Sequence, residues 1–219
     1  MKKYLKCIKK LPLAKSILVG SIFLICSSSA LAWLSFGDKD YNYTGIVSNV
    51  SFQKSGTTCS ITVNQNPAIT SDKKQICDFA NKAKDFNRKV SLHIHQIRHF
   101  VGSDGSYHVS GISFANTKAH EPSGKKENFR FDYMLQGKVE DVQYTEDNKC
   151  YIAINGPNIR NNLDRHYTAK MEICKLAENA FYTGMQVRMI ATVDNASEGN
   201  ANDINSFNVT QCCTRSQRN

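Results

Sequence analysis

The chain carries one pattern twice, and this repeat limits its folds more than any other feature. The fuller copy runs from Cys150 to Val187, the other from Cys59 to Val90. Each opens with a short alternating strand, from Cys150 to Asn155 or from Cys59 to Asn64, and a proline follows at Pro157 or Pro67. A helix with a second cysteine comes next, at Ile173-Cys174 or Ile76-Cys77, and a strand begins at Val187 or Val90. Upstream, Gly137, Val139, Val142 and Tyr144 repeat Gly45, Val47, Val50 and Phe52. We read this as an internal duplication filling most of the chain.

Periodicity assigns the elements. Val47 and Val50 are three apart, which an alternating strand places on opposite faces; a bulge, or a strand coiling between two sheets, lets both bury. Helical spacing joins Ile76, Phe79, Ala80, Ala83 and Phe86 in one copy and Ile173, Leu176, Ala177 and Ala180 in the other. Thr70, Ser71, Asp72 and Thr168 are N-cap candidates, and Gly184 is a C-terminal stop. Val90, Leu92 and Ile94 face inward, matched by Val187, Met189 and Ala191, and last strands lie near His108–Phe114 and Ile204–Val209. The third strand is the thinnest signal, because Ala68-Ile-Thr70 is short and residues 155–167 are polar. Strand, strand, strand, helix, strand, strand is the order of a small five-stranded OB barrel. The expected fold is mainly β with one helix per repeat, as tandem OB-like barrels. The expected boundaries are a lead at 33–40, domain 1 at 41–115, a linker at 116–129, domain 2 at 130–213 and a tail at 214–219.

Residues 1–32 read as a signal peptide: six lysines, an apolar run from Ser16 to Cys26, and Ala30-Leu31-Ala32 before the cut. A lipoprotein reading through Cys26 is disfavoured, because Ile25 stands where a small residue is expected. The full chain has 28 basic and 19 acidic residues, a net charge of +9; without the six leader lysines, 22 basic residues remain and the net charge is +3. Charge therefore implies no polyanionic partner and counts against nucleic acid. The expected location is periplasmic or secreted, with no membrane span after cleavage.

Six cysteines remain in the mature chain, and in an exported protein they read as disulfides. The repeat makes Cys59–Cys77 and Cys150–Cys174 the economical pairs. Cys212 and Cys213 are left with each other as a vicinal bridge; the alternatives are that one or both stay free, which an oxidising compartment disfavours, or that one bridges to a second chain or another protein.

The stretch from Ala177 to Met189, with its Thr183-Gly184 turn and Val187-Arg188 strand, resembles the B subunits of pertussis-like and subtilase-type toxins. Gly137-Lys138-Val139, Cys150-Tyr151-Ile152 and Thr210-Gln211-Cys212 are similar too. The resemblance is confined mainly to the second copy. It implies a disulfide-bearing OB fold, assembly into an oligomer or with a partner subunit, and glycan binding. It carries over no contact residue, so the ligand-binding residues are left unknown.

His93 and His95 share a strand face, with His99 nearby, and are the most metal-like group. Two imidazoles do not make a site, so they are read as outward-facing strand histidines with no metal. Tyr41, Tyr43, Tyr107, Tyr144, Tyr151, Tyr167 and Tyr182 are read as half-buried, although Tyr151 faces outward and could stack on a sugar or base. There is no Gly-x-Ser-x-Gly elbow, phosphate loop or His-Glu-x-x-His, so no catalytic residue and no cofactor is assigned. The expectation is a non-enzymatic module binding a glycan or protein ligand, with an envelope or secretion accessory protein as the alternative.

Overall fold

The computed structural model describes residues 38–97, 105–122, 130–157, 162–193 and 201–210. The expected signal peptide, His99, residues 123–129 of the expected linker, Cys212, Cys213 and the expected tail lie outside the described residues. From Lys39 onward the described residues form one compact unit, Ile97 and Gly105 aside; those two and Asp38 belong to a second unit.

The second half is a closed barrel. Its elements are β6 (Phe131–Thr145), β7 (Cys150–Asn155), β8 (His166–Thr168), α2 (Met171–Thr183), β9 (Gln186–Val193) and β10 (Asp203–Thr210). Long β6 pairs with β9 along its first part and with β7 along its second. Antiparallel β9–β10 and β7–β8 ladders and a parallel contact of β10 with β8 at Asp203↔Tyr167 complete the ring. This is the OB-like strand order, and α2 sits between the third and fourth strands.

The first half contains β1 (Lys39–Phe52), β2 (Cys59–Val63), β3 (Ile69–Ser71), α1 (Lys74–Asp85), β4 (Lys89–Ile97) and β5 (Ser106–Phe114). It runs in the order β3-β2-β1-β4-β5, and there the ring stays open, because β3 ladders only to β2 among the described residues. The far edge of β5 ladders instead to β6, with Gly111↔Thr145, Ile112↔Tyr144 and Ser113↔Gln143. Of the expected tandem five-stranded barrels, one is closed, and the other set of strands continues from it in a ten-stranded sheet. The end of β5 is taken up by β6 at Gly111–Ser113, and its start, Tyr107–Val109, stands across a cleft from β3 instead of laddering to it.

The local devices agree with the sequence. The β1–β2 register shifts between Val47 and Asn49, and the β6–β7 register between Val139 and Asp141. These bulges turn both members of each valine pair inward, so Val47, Val50, Val139 and Val142 are all buried. Cysteine bridges join Cys59 to Cys77 and Cys150 to Cys174, tying strand to helix in each half. Gly184 ends α2 in the left-handed conformation at φ 66°, as expected of a helix stop. At Gly137 a Cβ would stand 2.2 Å from the Asn155 carbonyl oxygen, so only glycine lets β6 and the end of β7 approach this closely.

Three expectations shift. Both helices are capped by lysines, Lys73 and Lys170, with no side-chain cap bond; Ser71 and Thr168 accept from those lysines' backbone N–H groups instead. Phe86 and Leu176, expected on the apolar stripes, are exposed: Phe86 lies past the end of α1 and packs on Tyr182 with ring centroids 4.5 Å apart. β1 begins at Lys39 rather than Gly45, because Tyr41 and Tyr43 pair across to Ile94 and Leu92.

The halves share one core. Phe114 at the end of β5 stacks on Phe181 of α2 at 3.7 Å and tilts against Phe79 of α1 at 4.7 Å, while Phe79 meets Tyr144 edge-on at 5.5 Å. Such ring pairs each add about 0.5–1.5 kcal/mol beyond area burial, which helps hold the two halves together at the junction.

Candidate functional site

The histidines come first. His93 and His95 alternate with buried Val90, Leu92 and Ile94, but neighbouring strands half cover them. His93 Nδ1 meets its ladder partner Asn42 Oδ1 at 2.8 Å, and its Nε2 meets Ser113 Oγ at 3.3 Å. Burial, reinforced by the Arg165 charge, holds the His93 pKa below the ordinary value. His95 Nδ1 contacts Asp40 Oδ1 at 2.8 Å. Among the described residues no three His, Cys, Asp or Glu side chains converge on a metal-sized space.

The tyrosines divide. Tyr144 is fully buried and donates to Glu178 Oε2 at 3.1 Å, so the half-buried reading does not hold for it. Tyr151 and Tyr167 are cross-strand partners on β7 and β8, with rings 5.8 Å apart on the outer surface of the barrel. Tyr151 also borders a concavity of about 240 Å³ with Glu121, Pro122, Gln143 and Thr145.

Tyr107 reaches the larger cleft, about 410 Å³ in volume. This cleft opens where β3 and β5 fail to ladder. Thr70 to Lys73 form one wall, Tyr107 to Val109 the other, and the β6–β7 turn closes it with Glu146 and Asp147. Both halves of the chain therefore build it. The Tyr107 ring is 43% exposed, yet its hydroxyl accepts from Gln96 Nε2 at 2.9 Å. Gln96 is buried, and its Oε1 accepts from the Tyr41 hydroxyl at 2.8 Å, so a buried amide fixes the ring from behind.

Charged groups rim the cleft. His108 Nε2 lies 3.1 Å from Glu146 Oε2, and its ring meets that of His95 at 5.3 Å. Lys73 Nζ is 3.5 Å from Asp72. Partial burial works against the Asp147 charge, but Lys149 and the Thr145 hydroxyl, each at 2.5 Å, outweigh it and hold the carboxyl below the usual carboxylate range. The cleft can offer a flat aromatic face, acceptors for hydroxyl or amino groups, and an ammonium.

Sequence reasoning does not single out the buried polar groups. Asp141 is fully buried, receives Arg165 Nη2 at 2.8 Å and Nε at 3.0 Å, and accepts from the Phe114 backbone N–H at 3.1 Å. Burial raises its pKa even against Arg165. Arg165 also contacts Glu121, and the His120 N–H donates to the Leu163 carbonyl at 2.7 Å, so the start of the expected linker lies along the second half. Lys82 of α1 sits 3.3 Å from buried Glu178 of α2. The one signal was position: Asp141 falls inside the bulge the valine spacing implied.

No helix among the described residues is long and apolar enough to cross a membrane. No family model, curated protein or solved structure matches the chain.

Proposed function

We propose that the chain is an exported, non-enzymatic binding module, built from two copies of one OB-like unit, that recognises a glycan or protein ligand at the junction cleft. The observation that carries this reading is Tyr107: a partly exposed aromatic ring, fixed from behind by Gln96, at the mouth of a cleft with convergent polar groups. Concave sites with an aromatic wall and a few placed polar groups are the usual form of a ligand site. Two bridged cysteine pairs suit an oxidising compartment, and the likeness to toxin B subunits points the same way. The low mature charge and the carboxylates at the cleft argue against nucleic acid. The accessory-protein reading draws on the exposed Phe52, Met134, Leu176 and Met185, which would suit a protein partner. A glycan array probed with mature protein and with its Tyr107→Ala variant tests the first reading. Binding to defined glycans that the variant loses supports it. Array silence, with a protein partner captured from envelope extract by both forms, sinks it in favour of the second.

A further inference from the structure

We propose that the junction cleft takes an uncharged sugar ring presenting adjacent hydroxyls, in preference to an anionic one; this rests on the reading of the cleft as the binding site. The first ground is the platform. Tyr107 is pinned at its hydroxyl by Gln96 and is 43% exposed. A ring fixed in advance offers its apolar face at little entropic cost, and the C–H face of a pyranose is the complement of such a surface.

The second ground is the balance of acceptors. Among the residues lining the cleft, Asp72, Glu146 and Asp147 are carboxylates and Lys73 is the single lysine or arginine. That lysine is already drawn to Asp72, and His108 is already turned onto Glu146. Carboxylates accept and do not donate, and one carboxylate can receive two neighbouring hydroxyls in charge-assisted bonds. Thr70 and Ser71 line the same wall.

The third ground is exclusion. A carboxylate, sulfate or phosphate on the ligand would enter beside Asp72, Glu146 and Asp147, while the two nearby ammonium groups are already engaged, Lys73 with Asp72 and Lys149 with Asp147. Juxtaposed like charges at close range discriminate strongly against the wrong partner. The volume of about 410 Å³ lies in the range of roughly 300–1,000 Å³ typical of small-molecule sites.

The test uses an array of neutral glycans and their terminally sialylated counterparts, followed by calorimetric titration of the best neutral glycan and its sialylated form. The mature protein, Tyr107→Ala, Glu146→Gln and the control Tyr151→Ala are compared, each with both disulfides mapped to show that it has folded. The expected result is a neutral glycan bound at least tenfold more tightly than its sialylated form. Tyr107→Ala and Glu146→Gln should each weaken it tenfold or more, and Tyr151→Ala less than twofold. A sialylated glycan bound tenfold more tightly, with binding lost in Tyr107→Ala, overturns the inference and leaves the cleft as the site. Glycan binding untouched by Tyr107→Ala and Glu146→Gln, or no glycan binding by any folded form, overturns both.

Discussion

Acidification to pH 4.5 should destabilise the protein through His166. This side chain is 1% exposed on β8. Its Nδ1 faces the Asp164 carbonyl at 2.8 Å, and its Nε2 faces the Tyr133 hydroxyl at 2.6 Å. Tyr133 in turn accepts from Asn202 Nδ2 at 2.7 Å. The Asp164 carbonyl requires Nδ1 to donate, and a neutral ring then accepts the Tyr133 hydroxyl proton at Nε2. Burial lowers the His166 pKa from 6.5 to about 4. The unfolded chain therefore takes up a proton near 6.5 while the folded one resists it. The contribution to stability is whole above pH 6.5 and is lost as pH falls from there through about 4. Each pKa unit corresponds to 1.36 kcal/mol, so the full window is worth about 3 kcal/mol, of which about 2.5 kcal/mol is gone at pH 4.5. Urea unfolding of the oxidised protein at pH 7.5, 6.0, 5.0 and 4.5 gives the profile. The same series on His166→Gln, which cannot titrate, removes the contribution of the other groups. The difference between the two should shrink by about 2.5 kcal/mol on acidification. A difference independent of pH would refute the neutral buried histidine.

Breaking the Asp141–Arg165 pair with Arg165→Met leaves a buried carboxylate without its cation, and should cost about 3–5 kcal/mol in urea midpoint analysis; the double variant Asp141→Asn/Arg165→Met should recover part of that. Gly137→Ala drives a methyl into the Asn155 carbonyl and should cost about 1–3 kcal/mol in urea midpoint analysis. Removing either bridge, by Cys59→Ala/Cys77→Ala or Cys150→Ala/Cys174→Ala, should cost about 3 kcal/mol, read as a fall in thermal midpoint.

What the sequence disclosed were short-range patterns. Strand alternation at Cys59, Ile61 and Val63 and the valine spacing in β1 and β6 are visible because a pleat has a fixed period. Bridge pairing followed because each cysteine had a counterpart in the other copy. The third strand of the second half was harder to see: three residues, His166–Thr168, carry too few apolar positions for any period to show. The β5–β6 ladder was invisible for a different reason, since strand pairing across a connection depends on which edge is free rather than on composition. The cleft inherits that difficulty. Its walls come from residues 70–73, 107–109 and 146–147, and only the three-dimensional junction brings them together. The buried ions at Asp141, Glu178 and Arg165 read as ordinary surface charges until their partners are known.

The bridges have a consequence for how the chain matures. Cys59 joins Cys77 across 18 positions, and Cys150 joins Cys174 across 24, so each described bridge links neighbours in the linear order of the mature cysteines and neither loop encloses the other. On the proposed export, with the chain delivered amino end first, each partner arrives directly after its mate, before any competing thiol from the other half. A plain oxidase can therefore make both bridges in order of delivery, with no reshuffling enzyme needed to undo a wrong choice. Heterologous production should tolerate loss of the isomerase and fail on loss of the oxidase.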